Sequence, residues 1–180
     1  LAEECGQRIM AARRERAFVD VRDLVERAAL NRFEQACLAD ADALRSLWGS
    51  FVVRSPDCHV FFAGDTGYSK DFVDIRQHFA RAQTPEQGGG FDLALLPIGA
   101  YEPRWFMKDQ HVNPEESVQI FEDLGCKRAL AVHWGTFQLT DEPLDQPPRD
   151  LAQARSHHGL TPSDFDTLAI GETCRIRRRS

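Results

Sequence analysis

Two polar residues of the chain stand in matching settings. Asp65 closes the apolar run Phe61-Phe62-Ala63-Gly64 and leads into Thr66-Gly67. His133 closes Ala129-Leu130-Ala131-Val132 and leads into Trp134-Gly135-Thr136. Polar groups at the C-terminal ends of strands in an open α/β sheet stand where ligands usually bind. A carboxylate with an imidazole suits a divalent ion such as Zn²⁺. The same residues also have a plain structural use, Asp65 capping its own turn and His133 hydrogen-bonded in the core. Spacing does not separate the two. His111 follows Lys108-Asp109-Gln110 ahead of a helix start. It could be a third ligand, a general acid or a phosphate contact, although pattern alone favours a surface histidine.

Between these positions lies Gly99-Ala100-Tyr101-Glu102-Pro103-Arg104-Trp105-Phe106-Met107, which is apolar for a loop. Such a segment could line an acyl-chain groove with Arg104 pairing a phosphate, or it could bury Trp105 and Phe106 beneath itself as core. His59, His78, His157 and His158 have no comparable context.

The elements that must position these residues lie in the later part of the chain. All nine prolines and all six histidines follow Trp48, and Gly6 is the only glycine before it. Residues 1–47 read as one or two amphipathic helices, from Val21, Leu24, Val25 and Ala28 and from Phe33, Ala36 and Cys37. From residue 48 strands and helices alternate, which indicates α/β layering. Strands are expected over 48–54, 59–63 (buried on both faces), 91–98 and 128–134, with one or two short strands in 167–176. Helices are expected over 69–82 with Ser69 as N-cap, after Asn113-Pro114-Glu115-Glu116 with a capping box and a stop at Gly125, and over 148–158 with a stop at Gly159.

Composition narrows the function. A chain of 180 residues with 42% hydrophobic content supports one domain with a real core. A net charge of −6 argues against a general nucleic-acid surface, and the basic tail Arg175-Ile176-Arg177-Arg178-Arg179 reads as a solvated end. No apolar run is long enough for a membrane span. Glu3, Glu4 and Arg8 interrupt any signal-peptide pattern, and the start at Leu1 is what a processed or partial product would show. Cys5, Cys37, Cys58, Cys126 and Cys174 form no CxxC pair, which suits a reducing cytoplasm.

The segments LWGSFVV, FFAGDTGYS, FDLALLPIGAYEPRWFM, QHVNPEES and AVHWGTFQLTDEP resemble N-acyl-phosphatidylethanolamine-hydrolysing phospholipase D and its bacterial relatives in the metallo-β-lactamase superfamily, over about residues 47–172. The resemblance implies an αββα sandwich holding two zinc ions at one sheet edge, and cleavage of a phospholipid phosphodiester. Asp65 would bridge the metals, His133 would bind one, and His111 would lie near the phosphate. Tyr101, Glu102, Arg104 and Trp105 would belong to the substrate side. A two-metal site lowers the pKa of a bridging water and clamps a phosphoryl oxygen.

The chain departs from that family in one respect. The family's His-x-His-x-Asp-His loop has no counterpart, since no histidine precedes His59. A further single histidine of the family follows a Gln, and the nearest comparable word here is Gln35-Ala36-Cys37. The expectation is therefore the C-terminal half of such a hydrolase, with residues 1–47 a helical or mis-framed segment. Three alternatives stand: a zinc-dependent phosphodiesterase completed from elsewhere, an inactive remnant or lipid-binding module, and a shifted reading frame. Peripheral membrane contact and self-association through an uncovered apolar sheet face are further expectations.

Overall fold

The computed structural model describes residues 3–16, 21–31, 49–80, 83 and 89–176. It divides into two compact units, Leu1–Ser50 and Phe51–Ser180. In the first, α1 (Glu3–Glu15) and α2 (Val21–Arg27) share a small core of Cys5, Ala12, Leu24, Ala28 and Leu30. The Arg8 Nε donates to the Ala28 carbonyl at 3.0 Å. The helical pattern expected of Phe33, Ala36 and Cys37, the word Gln35-Ala36-Cys37 and the tail arginines 177–179 lie outside the described residues.

The second unit runs β1 (Phe51–Arg54), β2 (His59–Phe62), α3 (Asp71–Phe79), β3 (Leu93–Pro97), α4 (Arg104–Met107), α5 (Pro114–Leu124), β4 (Ala129–Val132), α6 (Gln146–His158) and β5 (Phe165–Asp166). The strands form one sheet in the order β1-β2-β3-β4-β5. β1 pairs antiparallel with β2, and the remaining pairs are parallel. Parallel neighbours need crossovers, supplied here by helices: α3 before β3, α5 before β4 and α6 before β5. The second unit is thus an α/β unit built on one mixed sheet, and α1 and α2 precede it in sequence.

One face of the sheet carries the core. Phe61, Ala63, Ala94, Leu96, Ile98, Ala129, Ala131 and Phe165 pack with Phe72 of α3, Val118, Ile120, Phe121 and Leu124 of α5, and Leu151 and Ala154 of α6. The strand period of two sends the intervening residues to the other face. There Val60, Phe62, Leu93, Leu95 and Val132 are only partly buried, and Val53 is 62% exposed. β2 is thus buried alternately rather than on both of its faces.

The α5 start forms as its sequence dictates. Asn113 Oδ1 accepts from Glu116 N–H at 2.9 Å, and Glu116 accepts from Asn113 N–H at 3.0 Å. Gly125 ends the helix with φ of 62°. Other boundaries move. Lys70, not Ser69, occupies the cap position of α3, and Ser69 Oγ accepts from Asp71 N–H at 3.3 Å from one residue further out. Residues 167–176 form no strand. Glu172 closes a turn with Ala169, and Ile170 is fully exposed. The edge strand is Phe165–Asp166, held parallel to Ala129–Leu130. The segment 104–107, expected as loop, is a helical turn.

α6 is clamped to α5 by an ionisable contact. His158 Nδ1 lies 2.9 Å from Glu122 and its Nε2 lies 3.1 Å from Glu115, with His157 3.7 Å from Glu115. Both ring nitrogens donate only in the imidazolium. Burial opposes that charge, but the bonds to Glu115 and Glu122 outweigh it and raise the pKa above the usual histidine value. A raised folded-state pKa stabilises below the unfolded value and loses the effect as pH rises through the folded value. Chemical denaturation at about pH 5.5 and about pH 8.5 is expected to show a larger loss of stability with pH in the wild type than in His158→Gln.

Candidate metal centre

Each parallel strand that reaches the site turns sharply at its C-terminal end. After β2, Gly64 has φ of 67°; after β3, Ala100 has φ of 64°; after β4, His133 has φ of 59°. Left-handed backbone costs energy for residues with a Cβ and collects at functional sites. These turns hold Asp65, the 99–102 segment and His133 at one edge of the sheet. Gly99 permits the approach, because a Cβ there would lie 2.2 Å from the His133 carbonyl oxygen. Gly67 permits a second one, since its Cβ would lie 2.6 Å from the Asp109 carbonyl oxygen. Val112 N–H donates to the Thr66 carbonyl at 2.9 Å, which fastens the loop before α5 to the loop after β2.

The result is a cluster of Asp65, His111 and His133. One potential ligand atom from each lies within 4.8 Å of the others. His133 Nε2 is 3.4 Å from Asp65 Oδ1, and the two imidazole rings have centroids 5.2 Å apart. The Nδ1 atoms of both histidines are buried without a hydrogen-bond partner among the described residues. Buried polar atoms are nearly always paired, so two orphaned imidazole nitrogens beside a carboxylate fit a bound cation. Two imidazoles and a carboxylate are a zinc donor set, one short of tetrahedral closure. Burial is the largest influence on His111 and holds its pKa below the usual histidine value. His133 acts in the same direction, and Asp65 and Glu142 act against it. A neutral imidazole keeps the lone pair a metal needs.

The other residues expected at the site are placed as follows. Tyr101 is buried, and its hydroxyl donates to Asp150 Oδ2 at 2.5 Å. Burial first, then that bond, raises its pKa. Glu102 Oε2 accepts from Arg104 N–H at 3.0 Å. The Arg104 guanidinium is held by protein acceptors: Nη2 by both oxygens of Glu116 at 2.8 and 2.7 Å, and Nη1 by the His111 carbonyl at 2.9 Å and the Tyr101 carbonyl at 3.3 Å. Trp105 and Phe106 do not pack as core; they are 83% and 56% exposed.

Sequence reasoning missed Glu142. Its buried carboxylate accepts three successive backbone N–H groups, from Ala100 at 2.7 Å, Tyr101 at 3.2 Å and Glu102 at 3.0 Å. Burial pushes its pKa up, but bonds from Thr140 and from the backbone of Glu102, Glu142 itself and Tyr101 bring it below the usual carboxylate value. Nothing local in Thr140-Asp141-Glu142-Pro143 announces this, because the partners lie some 40 residues away. A cavity of about 290 Å³ opens beside His133 and Glu142, with Trp134, Phe137, Leu139 and Leu144 among its walls.

A Gly99→Ala substitution is expected to cost at least about 2 kcal/mol, because the clash is with backbone and cannot be relieved by a rotamer. Urea denaturation measures the loss. Ring-proton nuclear Overhauser effects between His111 and His133 are expected to weaken in the same variant.

The family described as "Beta-lactamase superfamily domain" matches residues 9–134. The chain is 36% identical over 136 residues to N-acyl-phosphatidylethanolamine-hydrolyzing phospholipase D 1 of Caenorhabditis elegans, covering 73% of this chain and 35% of that protein. It is 44% identical over 112 residues to the mitochondrial N-acyl-phosphatidylethanolamine-hydrolyzing phospholipase D of Saccharomyces cerevisiae, covering 61% of this chain and 22% of that protein. The chain therefore spans about a third or less of the length of these curated relatives. Among solved structures, an isothiocyanate hydrolase from Delia radicum gut bacteria superposes with a TM-score of 0.52 at 18% identity, over 72% of this chain and 44% of that one.

Proposed function

Because this chain belongs to the beta-lactamase superfamily, we propose that it forms part of a zinc-dependent hydrolase that cleaves a phospholipid phosphodiester bond. The observation that carries the proposal is the convergence of Asp65, His111 and His133, with two buried imidazole nitrogens that no group among the described residues satisfies. Zn²⁺ bound there would lower the pKa of a coordinated water and polarise a phosphoryl oxygen. Asp65 would bridge two ions, His133 would bind one, and His111 would complete this side of the site beside the phosphate.

The chain's own residues supply the rest of the environment. Glu142 and the turn at Ala100 keep the β3 loop against the β4 loop. The cavity walled by Phe137, Leu139 and Leu144 takes the apolar part of the substrate. Exposed Trp105 and Phe106 offer peripheral contact with a lipid surface, although among the described residues no helix is long and apolar enough to cross a membrane. Such a protein would work at the cytoplasmic side of a membrane. The donors of the family's His-x-His-x-Asp-His loop are not in this sequence, so another segment or chain would bring them. It would also cover the apolar sheet face of Val53, Val60, Phe62 and Leu95. In isolation the chain would self-associate through that face.

A second reading follows from the incomplete donor set: a lipid-binding module without turnover. Native mass spectrometry during zinc titration separates the two. The proposal expects zinc to bind at micromolar concentration, with Asp65→Asn and His133→Ala each weakening binding by at least about tenfold. Turnover of N-acyl-phosphatidylethanolamine in vesicles is expected only once a segment bearing the missing donors is added. No zinc binding with or without that segment overturns the enzyme reading. Vesicle binding that persists under chelator, without turnover, establishes the module.

A further inference from the structure

We infer that Arg104 is a positioning residue for His111 rather than a contact for the substrate's phosphate. The inference rests on the reading of His111 as part of the metal centre, and it starts from how little else holds that imidazole. His111 Nδ1 is buried and has no hydrogen-bond partner among the described residues. With that nitrogen open toward the proposed ion, the ring is placed by its contact with the His133 ring and by the backbone that carries it.

That backbone is fixed on every side. His111 N–H donates to the Met107 carbonyl at 2.8 Å, and the next N–H, of Val112, donates to the Thr66 carbonyl at 2.9 Å. The His111 carbonyl accepts from Arg104 Nη1 at 2.9 Å. Arg104 is itself held by a bidentate pair to Glu116 at 2.8 and 2.7 Å. Glu116 Oε2 also accepts the N-cap N–H of Asn113, so the guanidinium is anchored to the first turn of α5. A further bond from Nη1 reaches the Tyr101 carbonyl at 3.3 Å. One planar group thus ties residues 101, 111 and 116 together, a task that needs the fork of arginine and not the point charge of lysine.

These bonds also argue against a phosphate role. Both terminal nitrogens are already committed to acceptors of the protein. To reach a phosphate, Arg104 would have to leave Glu116, stranding a half-buried carboxylate and releasing the His111 carbonyl.

The test uses the whole chain, first without metal and then with Zn²⁺. Nuclear Overhauser effects between the His111 and His133 rings report the placement directly. They are expected in the wild type, absent in Arg104→Met and partly kept in Arg104→Lys. Zinc affinity is expected to fall by about tenfold or more in Arg104→Met. Arg155→Met is the control. It removes a comparable arginine, bonded to the Phe165 carbonyl and Asp166 at 2.7 Å, and should leave the ring contact intact. If Arg104→Met does not fold, Glu116→Gln takes its place; it keeps a cap acceptor and removes the ion pair, and the ring contact should weaken. A ring contact that persists in Arg104→Met, or in Glu116→Gln where that variant stands in, overturns the inference. So does its absence from the wild type. Titration with inorganic phosphate covers the alternative: loss of phosphate binding in Arg104→Met with the ring contact intact makes Arg104 a ligand contact after all. If the wild type binds no zinc, the metal-centre reading fails separately, and the ring contact still decides the role of Arg104.

Discussion

The ends of β3 and β4 meet so closely that no side chain fits between them. A Cβ on Gly99 would lie 2.2 Å from the His133 carbonyl oxygen, and the site depends on that approach. It brings the left-handed turn at Ala100 against the left-handed turn at His133. With β2 parallel alongside, the loop carrying Asp65 opens at the same edge. Strained backbone at two residues that carry a Cβ is tolerated because the neighbouring parallel ladder, with Pro97 opposite Val132, allows little else. The geometry of the site is thus a property of the sheet edge first and of its side chains second.

Around that edge the polar groups divide into two kinds. Glu142, Tyr101, Arg104 and Glu116 are satisfied by other parts of the protein, often over long sequence separations, and hold three loops in register. The Nδ1 atoms of His111 and His133 are satisfied by no group among the described residues. An unpaired buried polar atom costs on the order of 1–3 kcal/mol. A fold that pairs its other site carboxylates so fully would gain by pairing these as well. That contrast, rather than proximity alone, sets the two imidazoles apart and supports the proposed ligand role.

Much of this was legible in the sequence where the signals are local. The start of α5 needed only Asn113, Pro114 and Glu116, and its end needed only Gly125, because a capping box and a left-handed stop are short-range chemistry. Asp65 and His133 could be picked out because each follows an apolar strand. What could not be read depends on distant partners. Glu142 and Arg104 are ordinary charged residues until the fold brings the 100–102 backbone and the His111 carbonyl to them. Phe165 pairs as an edge strand because Ala129 offers a ladder, while Ile170, in the expected segment, finds none and stays in water. Trp105 and Phe106 were open to either reading, because composition says that a loop is apolar but not which way it points.

Two features that look unrelated share one physical origin. The candidate metal centre offers three donors from one side, and a tetrahedral zinc site takes four. The sheet offers a packed face and a second face on which Val60, Phe62, Leu93 and Leu95 are only partly buried. Apolar residues left partly exposed are better covered, and an open coordination sphere favours a further ligand. In the proposed enzyme a single added layer meets both needs, because the edge that holds Asp65 and His133 is the edge of that same sheet. Chain closure over the apolar face would bring new donors to the rim where the present three already wait. Burial of the face would then supply the free energy that holds those donors in place, so the affinity of the site for zinc and the docking of the second layer would be thermodynamically linked.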